Sequence, residues 1–209
     1  MKKKDVVFVL DKSGSMHGLE KDTIGGYNSL LEKQRLLKSD VRISTVLFND
    51  KVCQLHDRVL VERVHDLSGE DYFVGGCTAL LDAMGGAIEH MIGVKNRDGL
   101  DSVLFVIVTD GLENSSCKYS YDRVKWLIDL VKEKYGWEFL FLGANMDAAK
   151  EAGHFGIDED CSVNYCCDAK GTELNFKVLS NVVCDFASGM NFDKKAWKKD
   201  IEADYKKRR

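Results

Sequence analysis

Two apolar runs, Val6-Val7-Phe8-Val9-Leu10 and Ser102-Val103-Leu104-Phe105-Val106-Ile107-Val108, are rich in β-branched residues and show no alternation of polar and apolar positions. A strand with one wet face alternates and a strand covered on both faces does not, so both runs are predicted to be central strands of a parallel sheet. Each gives way to an aspartate, Asp11 and Asp110. Trp137 to Leu142, ending at Gly143, reads as a third such strand. Arg42 to Phe48 turns at Asn49-Asp50 into Val52 to Leu55, a hairpin that adds an antiparallel edge.

Between the strands, apolar residues recur at helical spacing: Leu80, Met84, Ala87 and Met91; Tyr121, Val124, Ile128 and Val131; Phe176, Leu179, Val183 and Phe186. Leu19 to Leu37 also reads as helical through Ile24, Tyr27, Leu30 and Leu31, although Gly25-Gly26 weakens it by roughly 1 kcal/mol per glycine. A short strand near Ser162 to Tyr165 precedes the last long helix. Such alternation implies an α/β fold, a doubly wound, mostly parallel sheet with one antiparallel edge strand and helices on both faces. The chain has 209 residues, 44% hydrophobic and 31% charged, which suits one domain. With no proline and no Ser/Gly linker, the one boundary expected separates residues 1–190 from a basic C-terminal helix or tail at 191–209.

Composition narrows the function classes. After Met1-Lys2-Lys3-Lys4-Asp5 only five apolar residues precede Asp11, too few for a signal peptide, and no window approaches the roughly 20 apolar residues that span a bilayer. A cytoplasmic protein without membrane contact is expected. Seven cysteines, an odd number, suit reduced thiols and no disulfides, and Cys161, Cys166 and Cys167 lack the C-x-x-C pairing of a zinc site, so buried thiols are expected there. A formal net charge of -4 gives no reason to expect nucleic acid, and the lysine- and arginine-rich stretch from Asp193 to Arg209 reads as a solvated terminal helix.

In open α/β sheets ligands bind beyond the carboxyl ends of the strands, where the winding reverses. Asp11 and Asp110 follow strands and share that edge if the two strands are neighbours. Paired carboxylates repel unless a cation lies between them. In Asp11-Lys12-Ser13-Gly14-Ser15 the two serines alternate with Lys12 and Gly14, so both hydroxyls can turn toward one point while Gly14 permits the tight backbone. Hard oxygen donors favour Mg2+ or Mn2+ in near-octahedral geometry, and five side chains leave one position for an outside ligand.

Asp-x-Ser-x-Ser after the first strand, Gly75-Gly76-Cys77-Thr78 before a helix and Thr109-Asp110-Gly111 after a later strand occur here in the order of the metal-ion-dependent adhesion site of von Willebrand factor A domains. Over roughly residues 5 to 187 the chain resembles that family, with its Rossmann-like α/β fold. The resemblance implies a metal held by Asp11, Ser13, Ser15, Thr78 and Asp110, whose vacant position takes a carboxylate from a partner protein. The absence of a signal-peptide pattern is expected to place the chain beside the family's intracellular, bacterial-type members, some of which work beside AAA-type ATPases. The implied partner is a protein offering Asp or Glu, an AAA-type ATPase or its substrate among the candidates.

Other readings stand beside this one. Thr78 can cap the helix beginning at Ala79, and Gly75-Gly76 can serve only as a turn. His17 and Cys77 adjoin the loops but suit softer metals; His56, His65, His90 and His154 show no metal spacing. Glu113, Asn114, Ser115 and Ser116 line either a partner surface or an ordinary polar loop. A phosphohydrolase of haloacid dehalogenase type also places an aspartate after its first strand, but it uses an acid two residues later, where Ser13 is far too weak an acid. A scaffold merely stabilised by the metal is the remaining alternative. No phosphate-binding glycine motif follows any strand. A non-enzymatic binding module is therefore expected.

Overall fold

The computed structural model describes residues 3–38, 40–190 and 193–209; residues 1, 2, 39, 191 and 192 of the expected segments lie outside the described residues. In chain order the elements are β1 (Lys4–Asp11), α1 (Glu20–Leu36), β2 (Val41–Phe48), β3 (Val52–Leu60), α2 (Leu80–Asp98), β4 (Ser102–Thr109), α3 (Tyr121–Tyr135), β5 (Glu138–Gly143), α4 (Ala148–His154), β6 (Ser162–Asn164), α5 (Ala169–Ser188) and α6 (Lys199–Arg208). The strands form one six-stranded sheet in the order β3-β2-β1-β4-β5-β6, parallel throughout except for the β2–β3 pair. The chain winds outward from β1 in one direction and then from β4 in the other, so the reversal falls between these two strands. Their unbroken apolar composition has the expected cause: every residue from Asp5 to Asp11 and from Val103 to Thr109 is buried.

The helical stripes pack on this sheet. Tyr27 of α1 meets Phe8 of β1 and Phe176 of α5 edge to face, with ring centroids 5.3 and 6.5 Å apart. Gly26 has a packing reason: a Cβ there would lie 2.4 Å from Cδ2 of Phe176, so the glycine lets α1 and α5 close on each other. Two features depart from the sequence reading. β3 runs on to Leu60 because its polar residues are held individually, His56 being buried and Arg58 sitting at φ 52° with its N–H on Ser44 Oγ at 3.0 Å. The short helix α4 has too few turns to show a stripe; Asp147 Oδ1 accepts from Lys150 N at 3.0 Å to start it, and Ala148 and Ala152 are buried.

The C-terminal segment is not wholly solvated. Its cations Lys194, Lys195, Lys206 and Lys207 face water, but Trp197 and Ile201 are buried in the main core. The Trp197 indole donates to Asp160 O at 2.9 Å, and Lys198 Nζ donates to Glu159 O and Ser162 O at 2.7 and 2.8 Å, so α6 lies along the outer edge of β6. All seven cysteines are unpaired. Cys161 is buried, Cys166 and Cys167 are half-buried, and Cys53, Cys77 and Cys117 are exposed. Among the described residues no helix is long and apolar enough to cross a membrane.

A buried chain runs from the Tyr27 hydroxyl to Thr45 Oγ1 at 2.5 Å and on to His56 Nδ1 at 3.0 Å. Burial, then the charge of the neighbouring His65, pushes His56 from its ordinary 6.5 down to about 4. The folded state therefore favours the neutral ring, while the unfolded chain takes a proton from about pH 6.5 downward. Stability present above pH 6.5 is expected to be lost as pH falls toward 4, by at most about 3 kcal/mol from this group. Urea midpoints across that window should fall less steeply in His56→Asn; equal slopes would remove His56 from the account.

Candidate metal centre

Because β1 and β4 are neighbours with Leu10 level with Val108, Asp11 comes level with Thr109 and Asp110 emerges one residue beyond. Asp11 is 1% exposed. Its Oδ1 accepts the Ser13 N–H at 2.7 Å, its Oδ2 accepts the Thr109 hydroxyl at 2.6 Å, and its backbone carbonyl accepts the Tyr72 hydroxyl. Burial raises its carboxyl above the ordinary range; the Thr109 and Ser13 hydrogen bonds oppose that rise, and the charge of Asp110 adds to it. Ser13 Oγ lies 3.0 Å from Ser15 Oγ, whose hydroxyl donates to Asp110 Oδ1. Thr78 Oγ1 and Ser15 Oγ both lie close to Gly111, 3.2 and 3.3 Å from where a Cβ on it would stand. The structure thus gathers Asp11, Ser13, Ser15, Thr78 and Asp110 into one cluster.

Backbone bonds fix the three contributing loops to one another. Gly14 N–H donates to Gly76 O at 3.0 Å, Gly75 N–H to Lys12 O at 2.9 Å and Asn114 N–H to Thr78 O at 3.0 Å. Asn49 ties in the hairpin turn, donating through Nδ2 to Gly75 O at 2.8 Å and accepting the Ala79 N–H at 2.7 Å. Gly76, at φ 80°, is more than a turn residue, since a Cβ there would lie 2.1 Å from Asp50 Oδ1.

Thr78 does not cap α2. The helix begins at Leu80 with Ala79 in the capping position and no side-chain cap of its own. The loop after β4 does that work: Glu113 Oε2 accepts the Leu81 N–H at 2.8 Å, and Ser116 Oγ accepts the Asp82 N–H at 3.0 Å. The Thr78 hydroxyl is thereby left to the cluster, and Glu113 and Ser116 acquire a structural role. His17 is exposed beside Glu20 at 3.2 Å, while His90 and His154 pair with Asp57 and Glu151 away from the cluster.

Neither Asp11 nor Asp110 forms an ion pair among the described residues. Nor do those residues contain a group of three or more His, Cys, Asp or Glu able to hold a metal. Two buried carboxylates without a countercharge, gathered with three hydroxyls, fit a hard divalent cation. Sequence reasoning missed several neighbours. Thr109 was legible in principle, as the residue level with Asp11 once the strands are paired. Tyr72 and Cys167 carried no signal. Cys167 Sγ lies 3.4 Å from Asp110 Oδ2, and burial followed by the Asp110 charge pushes its thiol up to about 12. Asn145 Nδ2 donates to Asp110 O at 3.4 Å from a backbone at φ 56°.

No family model and no curated protein matches the chain. Solved structures do. The vWF domain of the type V pili tip protein Mfa5 from Porphyromonas gingivalis is 12% identical with a TM-score of 0.64, over 92% of this chain and 97% of that one. Proximal thread matrix protein 1 from the mussel byssus, with a zinc-occupied MIDAS motif, is 14% identical with a TM-score of 0.60, over 88% of this chain and 46% of that one. The ArnB paralog VWA2 from Sulfolobus acidocaldarius is 17% identical with a TM-score of 0.54, over 86% of this chain and 45% of that one. The chain spans about half the length of the latter two. Identities this low speak to architecture alone, and with the strand order and site loops above they support one conclusion: the chain has the fold of a von Willebrand factor A domain.

Proposed function

We propose that the chain is a divalent-metal-dependent protein interaction module, with Mg2+ or Mn2+ held by Asp11, Ser13, Ser15, Thr78 and Asp110 directly or through water. The observation that carries this reading is the pair of buried, uncompensated carboxylates sharing a cluster with three hydroxyls. When bound, the ion supplies an electrophilic position for an Asp or Glu side chain of a partner protein. The chain's own residues do the positioning: Thr109 and the Ser13 N–H fix both oxygens of Asp11, Ser15 orients Asp110, and Gly111 keeps the space beside Thr78 and Ser15 clear. The reading is non-enzymatic, because Ser13 stands where a phosphohydrolase needs an acid. A cytoplasmic, bacterial-type setting and an AAA-type ATPase or its substrate as partner belong to the same proposal.

Thermal melting with and without millimolar magnesium tests the metal. A ligand bound only by the folded state adds about 2.7 kcal/mol at a hundred times its Kd, so wild type is expected to melt higher with magnesium and Asp11→Ala to show no such rise. If the two respond alike, the metal reading fails. Asp11-dependent turnover of a phosphate monoester would instead favour the enzyme.

A further inference from the structure

Large apolar side chains are exposed next to the cluster. Phe73 is 76% exposed and Leu112 is 54% exposed. Their positions are set by the site itself. Phe73 follows Tyr72, whose buried ring carries the hydroxyl that donates to Asp11 O, and precedes Gly75, whose N–H donates to Lys12 O. With Tyr72 pinned inward, the next side chain is turned out. Leu112 follows Gly111, the residue that Thr78 and Ser15 border. The loops that carry the cluster beside them present Gly14, Ser15, Gly76 and Cys77, all exposed and all small, with the Gly14 N–H on Gly76 O at 3.0 Å. Glu113, Ser115 and Ser116, which could have made this rim polar, turn back instead: the Glu113 carboxylate accepts from Leu81 N–H and from the N–H groups of Ser115 and Ser116.

Resting on the carboxylate-binding reading above, we infer that the ligand is an extended acidic peptide segment of a partner protein, in which the Asp or Glu is flanked by bulky apolar side chains that lie on Phe73 and Leu112. Charge and shape select this occupant together. A cation at the cluster attracts an acid, the small-residue floor admits an extended backbone over Ser15, and the apolar residues on the rim reward an apolar flank but not a charged or glycine one. Burying a leucine-sized side chain gains more than ordering it costs, which leaves room for a tenfold preference.

The probes are the acetylated, amidated peptides Gly-Gly-Asp-Gly-Gly and Gly-Leu-Asp-Leu-Gly, titrated calorimetrically against the full chain in millimolar magnesium. The leucine peptide is expected to bind about tenfold more tightly, equivalent to about 1.4 kcal/mol. Phe73→Ser with Leu112→Ser is expected to abolish that preference while the glycine peptide and the magnesium-induced rise in melting temperature stay as in wild type. Both side chains are exposed, so the variant keeps its core. Equal binding of the two peptides, a preference that survives in the double variant, or no peptide binding by a chain whose melting responds to magnesium would overturn the inference and leave the metal reading standing. A chain whose melting ignores magnesium would overturn both.

Discussion

Arg58→Ala is expected to destabilise the fold by about 3–5 kcal/mol, because it strands a carboxylate that cannot reach water. Asp5 is 0% exposed at the start of β1, and Arg58 meets it through Nε to Oδ1 at 2.8 Å and Nη2 to Oδ2 at 3.4 Å. Arg58 Nη1 reaches on to Asp98 Oδ2 at 3.0 Å, offsetting an acid at the carboxyl end of α2 where the helix dipole disfavours it. Burial already lifts the Asp5 carboxyl above its ordinary range despite Arg58, while the paired aspartates hold the guanidinium charged. Without Arg58 the carboxyl rises further, so the folded state holds a proton that the unfolded state releases. Stability is then lost as pH rises, and the cost of the substitution should be larger near about pH 8 than near about pH 5. Urea unfolding at both values checks this; a cost under about 1 kcal/mol at the higher pH would mean that water reaches Asp5.

Trp197→Ala is expected to cost about 3–5 kcal/mol, as for a large aromatic removed from a core. The residue lies in the segment that composition marks as a basic tail, yet it is buried in the same cluster as the sheet and its indole donates to Asp160 O. Trp197→Phe should lose only the hydrogen bond and some volume, about 1–2 kcal/mol. Urea midpoints at constant slope measure both. If Trp197→Ala unfolds within about 1 kcal/mol of wild type, the segment rests on the domain without supporting it.

The architecture was largely legible because its signal is local. Unbroken runs such as Val103 to Val108 mean a strand covered on both faces wherever they occur, and the stripes of α2, α3 and α5 repeat often enough to be read. What stayed hidden depends on contacts distant in sequence. β3 looked finished at Leu55 because His56 and Arg58 are polar, and only Thr45, Ser44 and Asp5 explain why they belong in the strand. The tail's charge concealed Trp197 and Ile201 in the same way. At the site, the motifs named the five residues that cluster but not their supports: Tyr72 and Cys167 reach the cluster from loops whose position follows from the whole sheet order.

The pairing of β1 with β4 joins residues far apart in the chain, 98 positions between Asp11 and Thr109. The cluster is therefore completed only when the long segment carrying α1, β2, β3 and α2 has closed. A ligand of the cluster binds only after that closure, so it is expected to act as a latch on unfolding and to leave the rate of folding nearly unchanged.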